Sequence, residues 1–136
     1  MDAKLLPWVG GEHLFALRVG ELEALQLATD SGPGEVLSRL YTSMTLDAPH
    51  LGPWRIGDII DSLRLGLIGG GTEALEARNL VMKTLDRHGP VALLGVAAEV
   101  LVHSIAPRPK DGEGEDAPGK PEGETATSES GTSPKS

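Results

Sequence analysis

The chain has 136 residues, with 12 basic and 20 acidic side chains, a formal net charge of -8, 3% aromatic residues and no cysteine. That length suits one domain. The absence of thiols excludes disulfides, thiolate metal sites and cysteine nucleophiles, and it fits a reducing compartment, so cytoplasmic residence is expected. The acidic excess and the scarcity of aromatics oppose direct binding to nucleic acid.

Composition divides the chain after Ala106. Residues 1–106 carry 8 basic and 13 acidic groups, whereas residues 107–136 carry 4 and 7, with no apolar side chain larger than Ala. Such a segment cannot offset its ordering entropy by burial, so 107–136 reads as a disordered Pro/Gly/Ser/Glu-rich tail. The preceding domain is long enough to bury roughly 60 to 70% of the surface its unfolded chain exposes. MDAKLLPWVGG has too little charge and too short an apolar run for an export signal. The most apolar stretch, PVALLGVAAEVLVHSIA, contains Glu99 and His103 and reads as a buried helix, with no membrane span.

In chain order, KLLPWVGGEHLFALRV predicts a β-hairpin turning at Gly10 and Gly11, with Phe15, Leu17 and Val19 on one face and Pro7 on an edge strand. GELEALQLATDSG predicts a short helix through Leu22, Leu25 and Ala28 or Thr29, ended by Gly32. PGEVLSRLYTSM predicts a second helix opened by Pro33, with Val36, Leu37, Leu40, Tyr41 and Met44 along one side. Residues 45–57 read as the main internal loop, with a brief extended piece at Trp54 to Ile56. DIIDSLRLGLIGGG resumes a helix at Asp58 and presents Ile59, Ile60, Leu63 and Leu67, until Gly69 to Gly71 stop it. Thr72 is placed to cap TEALEARNLVMKTLDRHG, whose Ala74, Leu75, Ala77, Leu80, Val81 and Leu85 make an apolar stripe. A final helix from Pro90, with Val91, Leu94, Ala98, Leu101 and Ile105, reads as the central packing element. The expected fold is α+β and mainly helical, an N-terminal hairpin followed by about five short helices.

Few residues suggest chemistry. His13, His50, His88 and His103 lie on separate elements without metal-ligand spacing, so neither a metal nor a cofactor is expected. Asp58 and Asp61 share a helical face and could form a carboxylate pair, yet solvated placement at a helix start explains them without catalysis. GLIGGGTE lacks the Lys and hydroxyl of a phosphate-binding loop, and a close turn between helices explains its glycines, with Gly66 permitting close backbone approach. Trp54, between Pro53 and Arg55, either closes the core locally or anchors a protein contact.

GEHLFALRVGELEALQLATDSGPGEVLSRL, followed by RIGDIIDSLRLGLIGGGTEALEARNLV, resembles a family of small tail-gene proteins of phages and gene transfer agents over roughly residues 5–106. The resemblance rests on Gly20, Glu21, Leu22 and Leu25, then Leu63, Arg64, Gly66, Leu67, Ile68, Gly69, Gly70 and Gly71, then Glu76, Ala77, Leu80 and Val81. The family is similar to tail assembly chaperones, and its members are also labelled tail tube proteins. The resemblance implies a non-enzymatic assembly factor that binds the tape-measure protein and helps recruit tail tube protein, acting in the cytoplasm or on assembly intermediates. A retained tube or tail-joining subunit is the alternative, and a small enzyme using Asp58 and Asp61 a distant one. Trp54, Arg64, Gly66, Leu67, Gly69, Gly70, Gly71, Glu76, Leu80 and Val81 are the candidate contact or motif residues. Exposed parts of Asp58 to Leu67 and of Thr72 to Leu85 are the candidate client surface.

Overall fold

The computed structural model describes residues 2–108. Strands β1 (Lys4–Trp8) and β2 (Gly11–Phe15) pair antiparallel, from Lys4 opposite Phe15 to Trp8 opposite Gly11. Val9 and Gly10 form the two-residue turn, and Gly11 follows at φ 122°, a conformation open mainly to glycine. Leu6 and Phe15 are buried on one side of the ribbon, whereas Leu5 and Leu14, directly opposite one another, remain about half exposed.

The second strand stops at Phe15, short of the expected extension to Val19. Ala16 leaves the ladder because its N–H donates to the Gly66 carbonyl at 2.9 Å, and Ala16 and Leu17 are buried in the connection. Val19 is instead the exposed first residue of α1 (Val19–Thr29). The Glu21 carboxylate accepts from the Arg18 N–H at 2.9 Å, satisfying a donor at this helix start. Leu25 and Thr29 face inward, and the Thr29 hydroxyl donates to the Leu25 carbonyl.

Helix α1 ends two residues earlier than Gly32, at Asp30, which adopts φ 53°, ψ 37°. Left-handed backbone disfavours a residue with a Cβ, although Asp tolerates it better than most. Asp30→Gly is therefore expected to raise stability by about 0.5 kcal/mol, after the added unfolded-state entropy is deducted. Chemical denaturation would show this as a higher midpoint with an unchanged slope; a lower midpoint would mean that the Asp side chain outweighs the strain.

Gly32 instead precedes α2 (Pro33–Met44), where Val36 and Leu40 are buried as the periodicity requires. Tyr41 does not join that face and is about half exposed. Ser43 occupies the buried position, because its hydroxyl donates to the Arg39 carbonyl and accepts the Trp54 N–H. The following loop contains a single 3-10 turn, Pro49–Leu51. The extended piece is shorter than expected, since Ile56 already belongs to α3 (Ile56–Gly69).

Helix α3 is the central element, a place the sequence had suggested for the last helix. It packs against β2, α1, α4 (Ala74–His88) and α5 (Leu94–Ile105). Its buried residues Ile59, Leu63, Leu65, Gly66 and Leu67 cover more than half of its circumference, so neighbours are met on several sides. Glu73, and not Thr72, caps α4 by accepting the Glu76 N–H at 3.1 Å. Ala77, Val81 and Leu85 point into the core, but Leu75 at the first turn is exposed. Gly89, at φ 81°, ends α4. A 3-10 turn, Val91–Leu93, then separates Pro90 from α5, so Val91 and Ile105 sit at exposed margins of the final packed segment. The hairpin-plus-five-helix architecture matches the expected fold. The acidic tail lies outside the described residues beyond Arg108.

Candidate functional site

The glycine run is a seam between α3 and the strand-to-helix connection. A Cβ on Gly69 would collide with the Ala16 carbonyl oxygen, and one on Gly70 with the Leu14 carbonyl oxygen. At Gly66 the obstacles are side chains, Val100 Cγ1 at 3.0 Å and Phe15 Cδ1 at 3.1 Å. Gly71 adopts φ 113°, and the Thr72 N–H donates to the Leu67 carbonyl, closing the helix end. Arg18 donates from its guanidinium to the Gly69 carbonyl, tying the start of α1 to the same seam. Gly69 and Gly70 let two backbones touch, a contact made in addition to the turn between α3 and α4 that the sequence suggests and that Gly69 to Gly71 form.

Asp58 and Asp61 do not form a carboxylate pair. Asp58 is fully buried and receives Arg39 Nε at 2.8 Å, Arg39 Nη2 at 2.7 Å and the Arg55 N–H at 3.0 Å. It is an interior ion-pair member, correcting its expected solvated position. The hydrogen bond to Asp58 raises the Arg39 pKa above its ordinary value, against the lowering effect of burial, and the Asp58 and Glu35 charges assist. Asp61 is engaged separately by Arg64, whose Nη2 lies 3.0 Å from Oδ1. Among the described residues, no group of His, Asp and Glu is placed to hold a metal ion.

A groove lies between the hairpin and α4 among the described residues. Its larger section, about 470 Å³, is lined by His13, Glu73, Leu75, Glu76, Asn79, Leu80 and Lys83. A smaller hollow of about 210 Å³ continues past Leu80 and Lys83 to Val9, Gly10, Thr84, Arg87 and His88. The wall at His13 is fixed, because Trp8 Nε1 donates to His13 Nδ1 at 2.9 Å, and Trp8 also meets Phe15 edge-on at 5.8 Å between ring centroids. An indole N–H only donates, so the neutral imidazole carries its proton on Nε2. Charge changes along the groove, from Glu73 and Glu76 at the start of α4 to Lys83 and Arg87 near its end.

Of the ten candidate residues, Glu76 and Leu80 lie on this groove. Gly66, Gly69, Gly70 and Gly71 belong to the seam, Leu67 and Val81 are buried, and Arg64 holds Asp61. Trp54 packs against the core from the loop and donates from Nε1 to the Pro49 carbonyl at 3.1 Å, which is the local-closure arrangement. The α3 segment offered as a client surface is largely occupied by neighbouring elements; the α4 segment retains an open face. Glu73, Leu75, Asn79 and Lys83 fall within the Thr72 to Leu85 segment offered as a client surface, whereas sequence reasoning did not join His13 and Arg87 to it. The available signal was the run of polar positions at helical spacing beside the α4 apolar stripe.

The chain is a small, mainly helical α+β protein with a groove lined by residues of the hairpin and of α4. A family model described as "Phage tail tube protein, GTA-gp10" matches residues 4–106, and the chain belongs to this family of phage and gene transfer agent tail proteins. No curated protein and no solved structure matches the chain. Among the described residues, no helix is long and apolar enough to cross a membrane.

Proposed function

We propose that the chain is a non-enzymatic tail assembly factor that binds the tape-measure protein and aids assembly of the tail tube. The observation carrying this reading is the groove along α4, where Leu75 and Leu80 are set among polar side chains beside the hairpin. A groove of this kind suits an amphipathic client helix, whose apolar side would contact the leucines while its polar side remains wet. The two-stranded hairpin supports such a role more readily than a tube subunit, which must close a ring through extensive subunit pairing.

Co-expression with a phage-type tape-measure protein tests the proposal. The expected result is a soluble complex that survives size-exclusion chromatography and contains both proteins. Continued insolubility of the client and no co-elution across several expression conditions would reject it.

The family description favours a second reading, a retained tube or tail-joining subunit. Quantitative analysis of purified particles separates the two. Stoichiometric retention supports the structural subunit, while presence in assembly extracts and absence from finished particles supports the assembly factor.

A further inference from the structure

We propose that the exposed strip of α4 binds a second copy of this chain through antiparallel, two-fold pairing of the two α4 helices. Glu76, Asn79, Leu80, Lys83 and Arg87 follow spacings of three and four residues and share one strip, with Glu73 at its beginning. The helix dipole accounts for acidic groups near the start and basic groups near the end, but does not require both sets to line the same groove. Their order makes the strip complementary to itself when reversed. With the two-fold axis beside Leu80, Glu76 faces Lys83 of the second copy and Glu73 faces its Arg87, while the two Leu80 side chains meet centrally.

Leu75 adds shape to this charge pattern. It is 63% exposed although it lies at the margin of the groove. The same antiparallel register places it near Thr84 of the second copy, beside the hollow formed by Val9, Gly10, Leu80 and Lys83. A parallel arrangement would set acids against acids and bases against bases. A two-fold interface uses the same patch twice, so each favourable pair occurs in both directions. The pairing occupies the same groove as the proposed tape-measure contact, so the two exclude one another on a single α4, although the pairing itself needs no client.

Sedimentation equilibrium of the full chain, without other proteins, tests the pairing at about 1 to 500 µM, a range covering weak association. The expected species has twice the 14.2 kDa chain mass. Glu76→Lys makes the strip predominantly positive, and Lys83→Glu makes it predominantly negative, while each leaves the Glu73–Arg87 pairs in place. Each protein is expected to self-associate at least about tenfold more weakly, because like charges then face one another. Mixing the two should restore a heterodimer, a result that general loss of folding cannot produce, and circular dichroism checks that each variant folds. Leu75→Glu should also weaken the wild-type dimer. A monomeric wild type throughout the range overturns the proposal, as does a dimer unaffected by all these substitutions or the failure of two folded variants to pair. Binding only an added amphipathic peptide, without self-association, assigns the groove to a client and likewise overturns it.

Discussion

Gly70→Ala is expected to destabilise the domain by about 3 kcal/mol or more, because the added methyl meets backbone and cannot be accommodated by a side-chain rotation. The obstacle is the Leu14 carbonyl on the strand that packs against the end of α3. Gly69→Ala has the same consequence at the Ala16 carbonyl and also crowds the Glu21 carboxylate. Ala is the better helix former, but its propensity gain of about 1 kcal/mol over Gly is smaller than the cost of separating the seam. Gly66→Ala should cost less, since Val100 and Phe15 can adjust at their side chains. Gly95→Ala supplies the opposite control: its position in α5 has open space, so a gain of roughly 0.5 to 1 kcal/mol is expected. Reversible thermal and chemical unfolding would test the series. For a domain near this size, a loss of 3 kcal/mol lowers the thermal midpoint by roughly 12 to 24 °C. Gly70→Ala with wild-type stability would show that the connection moves away at little cost and that the seam does not control the fold.

The glycine series also explains the boundary between what local sequence conveys and what needs a tertiary partner. GLIGGG correctly marks the end of α3, since glycine is a poor helix former and Gly71 requires positive φ. It does not identify Leu14 and Ala16, more than 50 residues earlier, as the backbone that needs space. Pro33 and the spacing of Val36 and Leu40 make α2 legible because both signals lie within the helix. Asp30 ending α1 depends on a tolerated but disfavoured conformation, whereas the neighbouring Gly32 gives the stronger local signal. The candidate site follows the same division. Glu76 and Leu80 are visible on the amphipathic α4 segment, while His13 and Val9 join them only after the hairpin packs beside that helix.

Arg39→Leu and Asp58→Asn are each expected to cost about 3 to 5 kcal/mol, for different physical reasons from the glycine variants. Asp58 has no exposed surface and its two oxygens together receive two guanidinium donors and one backbone donor. Arg39→Leu removes the opposing charge but leaves the carboxylate inside. Asp58→Asn leaves the guanidinium partly buried, with Ser31 and the more exposed Glu35 as remaining polar partners. Glu35 is separated by 3.5 Å and cannot replace the bidentate contact fully, because water screens its exposed carboxylate. The double variant should lose less stability than the sum of the two single variants, with a coupling of about 1 to 3 kcal/mol. Additive losses would assign the damage to separate packing changes and argue against an energetically coupled pair. The sequence suggests that Asp58 is an exposed helix-start charge because the local motif fits that role. Its Arg55 contact preserves that local role, while Arg39 from α2 makes the same carboxylate an interior link between helices; only the double cycle separates those two contributions.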